Sequence, residues 1–477
     1  MALISSHILN TNLSEKESQS SSETIQINTV TIDLNRRIDS LLPIINTNPL
    51  PLHISHSLPR WRDSKFVKKS QALSEKEKVP QNLLERTKKE YRQAQRQTLL
   101  TQLEIPLNSK ELNDLLKAVD ALKERIPSHN DPQAFPVTIN GKIGRIEVYH
   151  RKDDGKKDIL ITFLEKKQLL APPGTSKTFY SAWTLTKAPK RLAYGIVDRF
   201  YNRDISLAIE EADYFNQFRE SGFFPKLFKC TYFKNNEQHY QVLVMKYCPS
   251  DLLMLLQAIE KNPSRLSEMT SDQFKLLTAI SFVKCVDFLH QQKIIHRDLK
   301  PDNILITNGF KPLLCDLGFA ILSTDITEIE DVKCSTQYLA PEAYAYVFRT
   351  LIPEAVNDYC DPKDFTNNWN EKRAFALDTW TIGCILWQIS TLAPFPWSEY
   401  HLKPEKYLDL IKRFQQIPIS EAGHPLENLI RRLLQKDPLK RPETKEIINV
   451  LIQIQKDLPE KNTFLLSQQL KHLNQIE

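Results

Sequence analysis

The chain has 477 residues, 41% apolar and 26% charged, enough for two or three domains around a sizeable core and too apolar for disorder throughout. Its 64 Lys and Arg against 58 Asp and Glu leave +6, which gives no argument for a nucleic-acid or membrane-surface partner. Seven cysteines at 230, 248, 285, 315, 334, 360 and 384 include no CxxC pair, which argues against a zinc site or a disulfide framework and predicts reduced thiols in a cytoplasmic protein.

Residues 1–80 are rich in Ser, Thr, Asn and Gln, a composition that predicts a weakly ordered arm. The N-terminus lacks the basic flank and apolar stretch of a secretory leader, and no apolar run is long enough for a transmembrane segment. A helical extension is predicted over 81–134. It comprises a basic amphipathic stretch carrying Leu83, Leu84, Tyr91, Leu99 and Leu100, then a helix over Ser109–Arg125 with Leu115, Leu116, Val119 and Leu122 on one stripe. From Phe135 the period changes to two, through VTIN, GKIG and RIEVYH, and again in ILITFL after a turn at Asp154-Gly155.

A small strand-rich lobe is therefore predicted over 135–247. A larger helical lobe follows over 248–458, with stripes at Leu276, Ala279, Val283 and Val286 and at Leu429, Ile430, Leu433 and Leu434; 459–477 is left as a tail. The class is α+β, with strands ahead of helices.

Within the helical half, HRDLKPDN at His296–Asn303 is followed by DLG at Asp316–Gly318, eighteen residues after Asp298. APE at Ala340–Glu342, DTWTIG at Asp378–Gly383 and KRP at Lys440–Pro442 come next in order. Together these motifs resemble the eukaryotic-type protein kinase family, with its bilobal fold, over about Pro136 to Leu458. The resemblance implies ATP with Mg2+, or Mn2+ in its place, and phosphoryl transfer to Ser or Thr hydroxyls of a protein substrate, the chain itself included by autophosphorylation; no nucleic-acid partner is expected. It assigns Asp298 to orient the hydroxyl and accept its proton, Lys300 to steady the transferring group, and Asn303 and Asp316 to hold metal. Ser335 and Tyr338 fall on the substrate loop, Glu342 and Arg441 on a buried ion pair, and Asp378 on the anchor of the catalytic loop. Arg297 is expected to meet an anion on the activation segment, either a phosphate on Ser323, Thr324 or Thr327, or the carboxylates of Glu328, Glu330 and Asp331.

The small lobe departs from that pattern. In APPGTSKTFYSAW only Gly174 occupies one of the three glycine positions of the phosphate-covering loop, and RLAYGIVDRF puts Gly195 where a phosphate-binding lysine belongs. Ala193 fits the adenine-packing alanine of that strand. Glu211 fits the lysine's helix partner, because Tyr214, Phe215 and Phe218 extend one stripe from it whereas Glu210 loses the stripe. GTSKTFY is similar to the with-no-lysine (K) kinases, which implies that Lys177 supplies the missing cation from the neighbouring strand. The rival replacements are Lys187, Lys190 and Arg199, and the competing reading is a pseudokinase scaffold that binds without transfer. Gly195 would leave a cavity beside the DLG turn, open to an anion such as chloride.

VLVMKYCPSDL reads as a strand running into a hinge. Met245 borders the adenine pocket, the backbone of Lys246 to Cys248 meets the adenine edge, and Asp251 takes the ribose hydroxyls. About two dozen extra residues between Glu342 and Asp378 border the substrate groove, as a partner-reading insert or a neutral one. Few glycines and many Asn, Gln, Ile and Lys fit an AT-rich genome, which would suit a bacterial effector kinase working in a host cytosol.

Overall fold

The computed structural model describes residues 24–34, 96, 99–101, 103–126, 133–150, 157–163, 169–170, 177–186, 189–200, 204–235, 238–262, 272–325, 335–352, 370–416 and 424–458. Its first half is one antiparallel sheet. In spatial order the described strands are β1 (Thr24–Ile27), β2 (Val30–Asp33), β3 (Gln133–Ile139), β4 (Lys142–His150), β5 (Lys157–Phe163), β6 (Lys177–Thr184), β7 (Arg191–Phe200), β9 (Gln238–Lys246) and β8 (Leu227–Asn235).

The polar arm expected over 1–80 is corrected at 24–33, where β1 and β2 form a hairpin that pairs with β3. Ile25, Val30 and Ile32 are buried, so a short period-two pattern outweighs the polar composition around it. Between β3 and β4 the chain turns at Asn140 and Gly141, both at positive φ, the geometry that suits a two-residue hairpin. The turn predicted at Asp154-Gly155 lies outside the described residues, as do Leu83, Leu84 and Tyr91 of the basic stretch.

The helix α1 (Ser109–Arg125) forms where predicted, opened by a capping box: Asn108 accepts from the backbone of Lys110 and Glu111, and Glu111 accepts from Asn108 N at 2.9 Å. Leu112, Leu115, Val119 and Leu122 pack with Ile25, Ile32, Val137, Ile161, Phe163 and Trp183 in a core of their own. Trp183 belongs to β6 and donates its indole N–H to Leu103 O at 2.9 Å, so the extension is fixed to the strands that follow it.

A second link closes the sheet on itself. Glu147 of β4 accepts from Tyr194 Oη of β7 at 2.8 Å and from Lys229 Nζ of β8 at 2.5 Å, with Arg145 Nε 2.9 Å away. Burial penalises this carboxylate, but the two cations outweigh it and hold its pKa near about 2.

Across the sheet lies α2 (Asp204–Gln217), and the remainder of the described chain is mainly helical. The helices α3 (Leu252–Lys261), α4 (Asp272–Gln291), α5 (Pro341–Val347), α6 (Glu371–Thr391), α7 (Pro404–Gln416), α8 (Pro425–Leu433) and α9 (Thr444–Asp457) contribute to one large core, which α2 joins through Ala212, Phe215 and Phe218. Leu276, Ala279, Val283 and Val286 are buried along α4 as their spacing predicts. The 21-residue α6 is buried along most of its length, with Trp380 and Trp387 in the core. Among the described residues no helix is long and apolar enough to cross a membrane.

Candidate active site

The loop 296–303 runs between the short strands β10 (Ile294–Ile295) and β11 (Ile304–Ile306), and Asp378 near the middle of α6 holds it. The Asp378 carboxylate accepts the backbone N–H groups of His296 at 2.9 Å and Arg297 at 3.0 Å, and meets His290 Nε2 at 2.9 Å. It is buried, yet these donors keep its pKa below the usual carboxylate range. Arg297 takes a left-handed φ of 66° there, which turns the chain so that Asp298 follows into the cleft, and its Nε donates to Phe319 O at 2.6 Å.

Asp298 is the meeting point of the loop. Its Oδ2 accepts from Lys300 Nζ at 2.7 Å and Asn303 Nδ2 at 3.0 Å; its Oδ1 accepts from the backbone N and the hydroxyl of Ser335, each at 2.9 Å. Lys300 also reaches Ser335 Oγ at 3.0 Å. Residues distant in sequence thus converge on one carboxylate, with the Ser335 hydroxyl at hydrogen-bond distance from both that carboxylate and the Lys300 ammonium. The Glu342–Arg441 pair is bidentate at 2.6 Å for both bonds and buried, as its assigned supporting part requires.

The opposing wall comes from the sheet. Lys177 pairs with Val197, Phe179 with Gly195 and Ser181 with Ala193, and on the other side of β7 Gly195 pairs with Leu243 and Ala193 with Met245. Paired residues share a face, so Lys177, Phe179, Ala193, Gly195 and Met245 all lie on one side of the sheet. Lys177 Nζ donates to Glu211 Oε1 of α2 at 2.6 Å and to Asp316 Oδ1 at 2.5 Å. Glu211 is 2% exposed whereas Glu210 is exposed, which places the first of the two adjacent glutamates at the surface and the second at the site.

The electrostatics of the triad are mutual. Burial opposes the charge on Lys177, but Asp316 and Glu211 outweigh it and raise the ammonium pKa above its ordinary value. Burial raises Glu211, while Lys177 overcomes the same effect at Asp316 and lowers it. One cation therefore serves two carboxylates.

The cavity expected beside Gly195 is corrected: a Cβ at that position would stand 2.5 Å from Phe179 Cε1 and 2.8 Å from Cδ1. The ring occupies the space into which a side chain at 195 would project. Phe179 is the site residue whose weight the sequence does not reveal, since its relation to Gly195 depends on strand register.

At the hinge, Met245 and Cys248 are buried, and the Lys246 N–H is already bonded to Lys226 O at 2.8 Å. Burial pushes the Cys248 thiol up to about 12, so it is protonated and inert at neutral pH. Asp251 caps α3 through Met254 N at 2.7 Å, and burial raises its carboxyl to about 6. Gly174, Lys187, Thr327, Glu328, Glu330 and Asp331 lie outside the described residues, and so does the side chain of Arg199. Lys190 is exposed. Of the named phosphate acceptors, Ser323 is only 3% exposed whereas Thr324 is exposed.

For a metal, Asp316 retains its second carboxylate oxygen, and Asn303 has committed its amide nitrogen to Asp298 O and Oδ2, so what it has to offer is a carbonyl oxygen. Two hard protein donors suit magnesium, which keeps waters and takes substrate phosphate oxygens for the rest of its shell.

A two-lobed fold with a loop carrying Asp298, Lys300 and Asn303 on one wall and the Lys177–Glu211 pair on the other has the make-up of a phosphotransferase cleft. The model of the Protein kinase domain matches residues 197–451, more than half of the chain, and the chain belongs to the protein kinase family. Membership implies ATP and a divalent metal in general. The match begins at Val197, past both Lys177 and Gly195.

Among similar proteins, Serine/threonine-protein kinase 36 of Pongo abelii is 30% identical over 204 residues, 42% of this chain and 13% of that protein. Serine/threonine-protein kinase TIO of Arabidopsis thaliana is 32% identical over 171 residues, 34% of this chain and 10% of that one. Serine/threonine-protein kinase STK11 of Gallus gallus is 25% identical over 214 residues, 45% of this chain and 42% of that protein. The matches span well under half the length of these relatives.

Proposed function

We propose that the protein is an ATP-dependent Ser/Thr protein kinase in which Lys177 replaces the lysine absent from β7. The observation that carries this reading is Lys177 Nζ lying between Glu211 and Asp316 at 2.6 and 2.5 Å. A solvent-facing loop lysine would have no reason to be buried between two carboxylates. A scaffold that had lost catalysis would have no reason to retain Asp298 with Lys300, Asn303 and Ser335 gathered on it.

In this reading Asp298 orients a Ser or Thr hydroxyl of the protein substrate and takes its proton, while Lys300 steadies the negative charge that spreads over the phosphoryl oxygens. Lys177 binds the α- and β-phosphates, with Glu211 fixing its position. Ala193 and Met245 pack on the adenine, the backbone of Lys246 to Cys248 meets its edge, Gly174 covers the phosphates, and Asp251 accepts from the ribose. Magnesium, bound by Asn303 and Asp316, neutralises phosphate charge.

The test is transfer of the terminal phosphate of radiolabelled ATP to a generic basic protein and to the chain itself, with Mg2+ and with Mn2+. Wild type labels the acceptor and Asp298→Ala does not; absence of label from wild type with either metal rejects the enzyme in favour of the pseudokinase.

A further inference from the structure

On the side of the hinge strand away from Met245, a cavity of about 390 Å³ is lined by Lys190, Arg191, Arg219, Lys226 and Lys246 and by one carboxylate, Glu220. Three separate segments build it. Lys190 and Arg191 enter β7, Arg219 and Lys226 belong to the stretch joining α2 to β8, and Lys246 ends β9, paired with Leu192. Leu192, Phe224 and Phe228 supply apolar lining, with Phe228 44% exposed.

The charge in this cavity is poorly balanced. Glu220 is engaged by Lys226 Nζ at 2.8 Å, with Arg219 Nε at 3.7 Å. Arg191 meets Glu104 at 3.1 Å and lies over the Tyr247 ring. Lys190 and Lys246 have no carboxylate within ion-pair distance among the described residues, and Lys311 adds a further positive charge nearby, its Nζ 3.5 Å from where a Cβ on Gly222 would stand. Burial, together with Lys311 and Lys226, lowers the Lys246 pKa, as expected where like charges crowd. Crowded cations around a concave surface attract a counter-ion, and an arginine fork beside lysine ammoniums suits phosphate oxygens.

We propose that this cavity is a binding site for a small, multiply phosphorylated anion, distinct from the nucleotide cleft. A single phosphate would meet only part of a cationic lining drawn from three segments, in which Lys190, Arg219 and Lys246 are the charges least engaged by carboxylates, whereas linked phosphates can engage cations of more than one segment. The bound anion would tie the end of α2, the helix that carries Glu211, to the hinge strand. The phosphates could belong to a free polyphosphate or to a phosphoinositide headgroup.

The probe for the first source is inorganic tripolyphosphate, titrated calorimetrically into the full chain; for the second it is sedimentation with phosphatidylcholine vesicles containing phosphatidylinositol bisphosphate. Binding of either probe is expected to weaken at least tenfold in Lys190→Glu/Arg219→Glu and to survive in Lys177→Ala, which separates this cavity from the nucleotide cleft. If the charge reversals melt early, Lys190→Gln/Arg219→Gln is expected to weaken binding in the same direction, and Lys190→Arg to retain it. Binding of neither probe, equal binding by the double variants, or loss only in Lys177→Ala overturns the proposal. So does capture of a ten-nucleotide RNA where tripolyphosphate fails.

Discussion

Moving the lysine back to β7 tests the small lobe directly. Lys177→Ala removes the only cation bonded to Glu211 and Asp316 among the described residues. Loss of one preorganised electrostatic contact of this kind costs about 10²–10³ in turnover, and leaving the buried Glu211 unpaired costs up to roughly 3–5 kcal/mol of stability. Melting temperature must therefore be followed beside activity. In Lys177→Gly/Gly195→Lys the charge is restored by composition but not by space, because the Cβ at 195 meets Phe179 ring carbons at 2.5, 2.8 and 3.1 Å. Overpacking of that kind costs about 1–3 kcal/mol, so the double variant is expected to stay inactive and melt early. Adding Phe179→Val removes the ring from that space, and the triple variant is expected to regain at least tenfold over the double, a recovery of about 1.4 kcal/mol in the barrier. The assay is initial-rate phosphate transfer at saturating ATP. Activity of Lys177→Ala near wild type would refute the role of Lys177, and full activity of the double variant would refute the steric block by Phe179.

Three further outcomes follow from separate contacts. Ser335→Ala, which removes a hydroxyl bonded to both Asp298 and Lys300, is expected to lower turnover about fivefold, at roughly 1 kcal/mol for the lost contact, with Ser335→Thr retaining it. The Glu147 carboxyl, at about 2 when folded against its ordinary value of 4.5, adds stability that is complete above pH 4.5 and is lost as pH falls towards 2. The drop corresponds to about 3 kcal/mol, and a urea-melt series from pH 6 to 3 should fall less steeply in Glu147→Gln, which starts from lower stability. Asp251, raised to about 6, is ionised at pH 7.5 and half protonated near 6. If it accepts the ribose hydroxyls, the KM for ATP rises as pH falls through that value, and Asp251→Asn flattens the profile.

How much of this could be read from the residues alone depends on how far apart in sequence the interacting groups lie and on what sets their distance. The loop of Asp298, Lys300 and Asn303 was legible because the three fall within six residues, a local motif whose resemblance to the protein kinase family implies their roles. Glu211 was legible for a different reason: helix periodicity puts it beside Phe215 and Phe218, which are buried. By contrast, Glu147 meets Tyr194 and Lys229 only because strand order brings β4 round to β7 and β8, and no local pattern encodes that closure. The hairpin at 24–33 was hidden by the polar residues around it, and the pairing of Phe179 with Gly195 by a register that one slipped residue would undo. Lys177 stands between these cases. Its position departs from the usual strand, but the buried Glu211 and the 34% exposed Asp316 are two carboxylates facing one space, and a cation between them offsets their repulsion and the cost of burying the first. The carboxylates specify the charge and leave its origin open; β6, hydrogen-bonded to β7 and on the same face of the sheet, is the neighbouring strand from which a lysine can reach both.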